Sequence, residues 1–234
     1  MSDRKPIFCQ LVEPEASALT YILGDPRTRR ALIIDPVLET VERDLQALRN
    51  LNLELEIILE THLHADHVTG AGALREATGA RIAVSRASGI LGADLLLEDR
   101  SPVSVGTLTL LTLATPGHTQ GCVSYYIDGM AFTGDCLLVG GIGRTDLPGG
   151  SSNRLYDSVH RVLWPLPPTT QVFPAHDYRG HRSSTIEVEK RSNPRVGDGV
   201  EKLGFLQMMQ ELQLAPPRKM RTAIPANLRC GAAD

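Results

Sequence analysis

Leu55-Glu56-Ile57-Ile58-Leu59-Glu60-Thr61-His62-Leu63-His64-Ala65-Asp66-His67 is the stretch on which the reading turns. It opens as a short apolar run of strand formers and then delivers four potential metal ligands, His62, His64, Asp66 and His67, within six residues. Packing does not explain such a cluster, because a buried ionisable group must find a partner. Neutral imidazoles beside a carboxylate suit a divalent metal of borderline hardness such as Zn, Fe, Co or Ni. The pattern predicts a strand whose end presents ligands where side chains from several strands converge.

Three further pieces have the same form. Pro116-Gly117-His118-Thr119 follows a predicted strand at Leu108–Leu113, Thr133-Gly134-Asp135 follows Met130–Phe132, and Pro174-Ala175-His176-Asp177 follows Gln171–Phe173. Five of the seven histidines therefore sit in short polar clusters after apolar runs.

Around these pieces the chain alternates. Strands are predicted at Ala18–Leu23, at Ala31–Ile34 before the Asp35-Pro36 turn signal, and at Arg81–Val84. Helical spacing of Val41, Leu45, Leu48 and Leu51 predicts a helix between them, and a second runs over Val68–Thr78 with Gly79 as its C-cap. From Leu95 to Leu113 the pattern is β-like with a hairpin turn at Gly106, and Asp128-Gly129 joins strands at Cys122–Ile127 and Met130–Thr133. Helices are predicted at Leu155–Leu163, Ile186–Arg191 and Val200–Leu212. Each sheet must bury an apolar face, so the pattern fits one domain over residues 1–234 with two sheets covered by helices.

The 234 residues are 42% hydrophobic and 22% charged, which suits a packed core and excludes a disordered chain. A net charge of -3 offers no case for a nucleic-acid or anionic-membrane surface. No run approaches the roughly 20 apolar residues of a membrane span, and the start leads into no apolar signal region. A soluble, cytoplasmic protein is the expectation. Cys9, Cys122, Cys136 and Cys230 are too few and too scattered for a disulfide scaffold. Cys122, Cys136 and Cys230 read as small buried residues rather than nucleophiles.

THLHADH, PGHT, TGD and PAHD, in this order and spacing, resemble the metallo-beta-lactamase-fold hydrolases and oxidoreductases. More narrowly, the chain resembles the ETHE1-like persulfide dioxygenases. Supporting motifs are PGHTxGCVSY at 116–125, FTGD at 132–135, GRTD at 143–146, PAHDYRG at 174–180, NPR at 193–195 and PANLRCG at 225–231. The resemblance covers almost the whole chain. It implies an α/β fold, the αβ/βα sandwich of two mixed sheets flanked by helices. The sequence departs from the human member at Gly140 and Ile142, where that protein has a basic residue and a cysteine, which implies a different pocket rim.

The resemblance assigns one Fe(II) per chain to His62, His118 and Asp135, which also act as the catalytic centre. Two histidines and a carboxylate form the facial triad of non-haem iron oxygenases, with open positions for substrate and dioxygen. His64, Asp66, His67 and His176 are then groups that orient the ligands or the remnant of a second metal site. In thioester hydrolases similar to glyoxalase II, two metals use these residues, and every one of those ligands is present here. The implied reaction is oxidation of glutathione persulfide by O2 and water to sulfite and glutathione; the alternative is a binuclear hydrolase of glutathione thioesters. A metal-stabilised binding or sulfur-carrier protein without turnover is a third reading. The family also implies a homodimer.

Glutathione carries two carboxylates, so its pocket should present arginines. Arg144 is the first candidate, although it can instead brace its loop through Asp146. Tyr178 can face the pocket or keep a structural hydroxyl, and Arg179 and Arg195 follow as pocket or surface arginines. Arg29-Arg30 reads as a solvated turn.

Overall fold

Apolar residues on both faces of β2 (Ala18–Gly24), β3 (Arg30–Ile34) and β4 (Glu54–Leu59) require cover on both sides. The computed structural model, which describes residues 5–231, sets them inside a six-stranded sheet. β1 (Ile7–Glu13), β5 (Arg81–Ser85) and β6 (Leu95–Leu97) complete it in the order β1 to β6. β1, β2 and β3 pair antiparallel, and β3 to β6 pair parallel.

The second six-stranded sheet contains β7 (Pro102–Val105), β8 (Leu108–Ala114), β9 (Val123–Ile127), β10 (Met130–Gly134), β11 (Gln171–Pro174) and β12 (Ser184–Thr185). Only the β10–β11 pair is parallel, so both sheets are mixed. Asp128 and Gly129, with φ of 44° and 78°, close β9 onto β10 and put Ile127 opposite Met130. Two consecutive positive φ angles are what a two-residue type I′ hairpin demands.

Alternation along the strands sorts the core into layers. Leu19, Tyr21, Leu23, Leu32, Ile34, Ile57 and Leu59 meet Leu110, Tyr125, Phe132 and Phe173 between the sheets. Ile22, Ile33, Leu55 and Ile58 face the opposite way, toward α1 (Val41–Asn50) and α2 (Ala71–Thr78). Leu55 and Ile57 would share a face in a regular strand. The register shift that pairs Ala31 with Leu55 but Leu32 with Ile57 puts a bulge at Glu56, and this separates them. α3 (Ser152–Ser158), a π-helical turn at Val159–Leu163, α4 (Ile186–Ser192) and α5 (Lys202–Glu211) cover the second sheet through Leu155, Leu163, Ile186 and Phe205. Each large apolar side chain so buried contributes roughly 1.5–3 kcal/mol.

Several elements differ from expectation. α2 starts at Ala71 rather than Val68, because the backbone of 68–70 bonds outward: Val68 O accepts from Leu38 N and Gly70 N donates to Pro36 O. The helix expected at Leu155–Leu163 starts earlier, where Ser151 accepts from Arg154 N, and widens to π geometry from Val159. Arg29, at φ 63°, is not a free solvated turn residue: its guanidinium donates to the carbonyls of Leu51 and Asn52, and Arg30 opens β3. The pattern reading had no counterpart for β1, β12 or α6 (Met220–Asn227), the last of which carries Pro225 inside it.

The carboxyl ends of β4, β8, β10 and β11 meet at one edge of the sandwich. There Val123 N donates to Thr61 O, Leu19 N to Ala175 O and Asp177 N to Ser17 O, joining the two sheets.

Candidate metal centre

Each strand end delivers a side chain to this edge: β4 leads to His62, His64, Asp66 and His67, β8 to His118, β10 to Asp135 and β11 to His176. Ligand atoms of His62, His118 and Asp135 lie within 4.8 Å of one another, as do those of His64, Asp66 and His67. All of these residues are buried except Asp66, which is half-buried.

Hydrogen bonds on the far side of each ring decide which nitrogen is free. Thr61 donates its hydroxyl proton to Asp35 Oδ2 at 2.7 Å, so Thr61 Oγ1, 2.8 Å from His62 Nδ1, accepts the imidazole proton. His62 Nε2 keeps its lone pair. Asp35 Oδ1 accepts from Thr61 N at 2.7 Å and holds the whole arrangement. His118 Nδ1 donates to Arg144 O at 2.7 Å, which leaves Nε2 free, 3.6 Å from Asp135 Oδ2. Burial and the neighbouring His64 lower the pKa of His62 well below the ordinary range, so the ring is neutral.

His176 sits between two carboxylates, Nδ1 at 2.8 Å from Asp135 Oδ1 and Nε2 at 2.9 Å from Asp66 Oδ2. Burial opposes its charge, but Asp135 and Asp66 outweigh burial and raise its pKa well above the usual value. Burial likewise works against the charge on Asp135, and His176 more than offsets it, keeping the carboxylate ionised. His64 has burial against its charge and Asp35 and Glu60 in its favour, at 3.3 and 3.2 Å from Nε2, with its pKa pushed up to about 10. His67 donates from Nδ1 to Asp66 Oδ2 at 3.1 Å, and its buried Nε2 has no partner. His64 Nδ1 is buried and unpartnered too. The free Nε2 atoms of His62 and His118 beside the ionised Asp135 carboxylate are a donor set that a divalent metal completes.

A cavity of about 540 Å³ opens over this centre. His118, Asp135 and Asp66 form its floor, with Leu138, Ile142 and Leu147 among its apolar walls. Gly140 and Ile142 line it as well. Arg144 also borders the cavity but is committed to bracing: Nε and Nη2 grip Asp146 at 2.6 Å each, and Nη1 donates to Ala215 O at 2.7 Å. Tyr178 stands at the mouth, 67% exposed, with its ring parallel to that of His176 at 5.5 Å. Arg179 and Arg195 line the cavity with no side-chain ion pair among the described residues. Burial pushes the thiol of Cys122 up to about 12, that of Cys230 up to about 11, and that of Cys136 well above its usual value, which leaves all three as inert packing groups.

The sequence reading did not reach Asp35, Glu60, Thr61 or Asn227 as site residues. Asp35 read only as a turn signal, and it does adopt φ 51°, but its carboxylate also fixes His62. Asn227 lay inside a quoted motif with no role attached.

Sandwich, strand-end ligands and paired histidine clusters define a metallo-beta-lactamase-type protein, and the family model described as "Metallo-beta-lactamase superfamily" matches residues 15–176. The persulfide dioxygenase ETHE1 of Homo sapiens is 45% identical over 95% of this chain and 87% of its own length. The crystal structure of ETHE1 from Myxococcus xanthus superposes with a TM-score of 0.95 at 47% identity, covering 97% of this chain and all of the other. Glyoxylase B2 of Dictyostelium discoideum is more distant, at 32% identity over 94% of the chain and 90% of its own length. The chain belongs to the metallo-beta-lactamase superfamily and, within it, to the ETHE1 persulfide dioxygenase family.

Proposed function

We propose that this persulfide dioxygenase holds one Fe(II) with His62, His118 and Asp135 and oxidises glutathione persulfide. One persulfide, one O2 and one water give one thiol, one sulfite and two protons. The observation that carries the one-metal reading is the commitment of both His176 nitrogens, which denies a second site that ligand. His176 spends both nitrogens on Asp66 and Asp135, and His64 faces two carboxylates, whereas His62, His118 and Asp135 Oδ2 offer free donor atoms in one place. When bound there, iron supplies the redox chemistry that zinc lacks and keeps positions open beside the triad.

The chain's own residues do the rest. His176 holds Asp135 ionised and aimed by occupying Oδ1, and Arg144 O fixes the His118 ring. The apolar walls limit water around the persulfide sulfur, and Arg179 and Arg195 are the free guanidinium groups available for glutathione carboxylates. Tyr178 stacks on His176 at the mouth and borders the substrate. Arg144 serves the substrate through the wall it clamps.

The reading includes one domain, a homodimer and a cytoplasmic location. No helix among the described residues is long and apolar enough to cross a membrane; the human and bovine relatives are named as mitochondrial. Light scattering decides the dimer. Anaerobic purification with metal analysis, followed by oxygen uptake on glutathione persulfide, tests the activity. About one iron per chain, with sulfite formed as oxygen is consumed, supports it. Two metals per chain, no oxygen uptake and turnover of S-lactoylglutathione would replace it with the binuclear hydrolase.

A further inference from the structure

We propose that Asn227, from the C-terminal helix α6, is a positioning residue of the metal centre. Its carboxamide fixes the loop that carries His64, Asp66 and His67. Nδ2 donates to His64 O at 2.9 Å and to His67 O at 2.8 Å, and Oδ1 accepts from Thr69 N at 2.9 Å. The residue is 2% exposed. Residues 64–69 belong to no helix or strand, so these backbone groups have no ladder to satisfy them and depend on a side chain. A primary amide brings two donors and an acceptor to one point, which matches two carbonyls and one N–H.

The two carbonyls it grips flank Asp66. Asp66 Oδ2 receives His67 Nδ1 and His176 Nε2, and His176 Nδ1 reaches Asp135 Oδ1. Asn227 thus stands at the start of a hydrogen-bonded chain that ends on the carboxylate ligand. The helix α6 is itself anchored, which makes it a fixed platform. Leu91 N donates to Leu228 O at 2.7 Å, Gly72 N to Cys230 O at 2.8 Å, and Lys219 Nζ pairs with Glu39 at 2.7 Å. The space enclosed between Glu60, His64, Thr69 and Asn227 is about 10 Å³, room for no more than one water. Solvent therefore cannot take over the three bonds while the side chain stays in place.

The inference rests on the metal-centre reading, and its test does not depend on turnover. Asn227→Leu keeps the volume and removes all three bonds; Ala223→Gly weakens the same helix at a buried position and leaves all three bonds in place. Iron release into a ferrous chelator and the electron paramagnetic resonance of the ferrous nitrosyl adduct are compared well below the unfolding temperature. The expected result is iron release about 10-fold faster than wild type with an altered nitrosyl spectrum in Asn227→Leu. It includes a fall in kcat at nearly constant KM, and wild-type release and spectrum for Ala223→Gly despite a lower Tm. If Asn227→Leu does not fold, Asn227→Ala is read in the same way. Wild-type release and spectrum in the Asn227 variant would overturn the proposal and leave a brace for the fold alone. Should the wild-type protein carry zinc instead of iron, the functional reading fails, and zinc release from the same variants still decides the role of Asn227.

Discussion

The floor of the cavity and its rim are built on opposite principles. His118 and His176 on the floor, and His62 beside them in the metal centre, are buried, and each donates a hydrogen bond to an oxygen, that of Arg144, Asp66 or Thr61, the last itself bonded to Asp35. On the rim, Tyr178 is mostly exposed and Arg179 and Arg195 have no ion pair among the described residues. Chemistry that depends on a lone pair's direction is thereby fixed by the backbone of two sheets. In the proposed function, recognition of the glutathione part falls to the more exposed side chains of the rim. Arg144 joins the two regions, since its carbonyl orients His118 while its side chain clamps the wall at Leu214 and Ala215.

Asp35→Asn should break the floor most severely. An amide nitrogen facing Thr61 would donate where Asp35 Oδ2 now accepts, turning the Thr61 proton toward His62 Nδ1 and moving the imidazole proton to Nε2. Iron affinity should fall by about 10–100-fold, measured by competition with a chelator, without change in the cavity rim. Unchanged affinity would show that the Asp35–Thr61 pair does not set the His62 tautomer.

At the rim the effect should be smaller and of a different kind. Arg195→Ala or Arg179→Ala should raise KM for glutathione persulfide by about tenfold, roughly 1.4 kcal/mol, with kcat and iron content kept. A fall in kcat at constant KM would instead assign these arginines to the chemistry of the floor.

Away from both regions, Asp44 on α1 should affect stability and leave turnover alone. It is fully buried with Oδ2 unpartnered, and burial pushes its pKa from 3.8 to about 6, although Arg43 pulls the other way. Its protonated form suits the native state, so the stability it contributes is present below pH ~4 and lost as pH rises through about 6, an order of ~3 kcal/mol. Asp44→Asn should remove that slope in urea titrations between pH 4 and 7 and leave oxygen uptake unchanged. A slope retained in the variant would place the titration elsewhere.

The same division separates what was legible in the sequence from what was not. The strands β2 to β5 and the Asp128-Gly129 hairpin follow from short apolar runs of strand formers and from turn chemistry, which are local. The ligand clusters were legible because four donors in six residues have no packing explanation. β1 mixes polar and apolar residues at a sheet edge, and α6 contains a proline, so neither carries a clean period. The π turn at Val159–Leu163 continues a helical period that carries no local signal for the wider geometry. Asp35 and Asn227 act on partners 26 and 158 residues away, distances over which no spacing rule operates.

The bond from Asn227 to Thr69 also orders events during synthesis. The histidine loop is translated early, with Asp35 and Glu60 already made but the helix that ties its backbone still to come. Its last three backbone partners arrive only when residue 227 has been translated. Until then the loop carries its ligating side chains without the three bonds that fix its backbone.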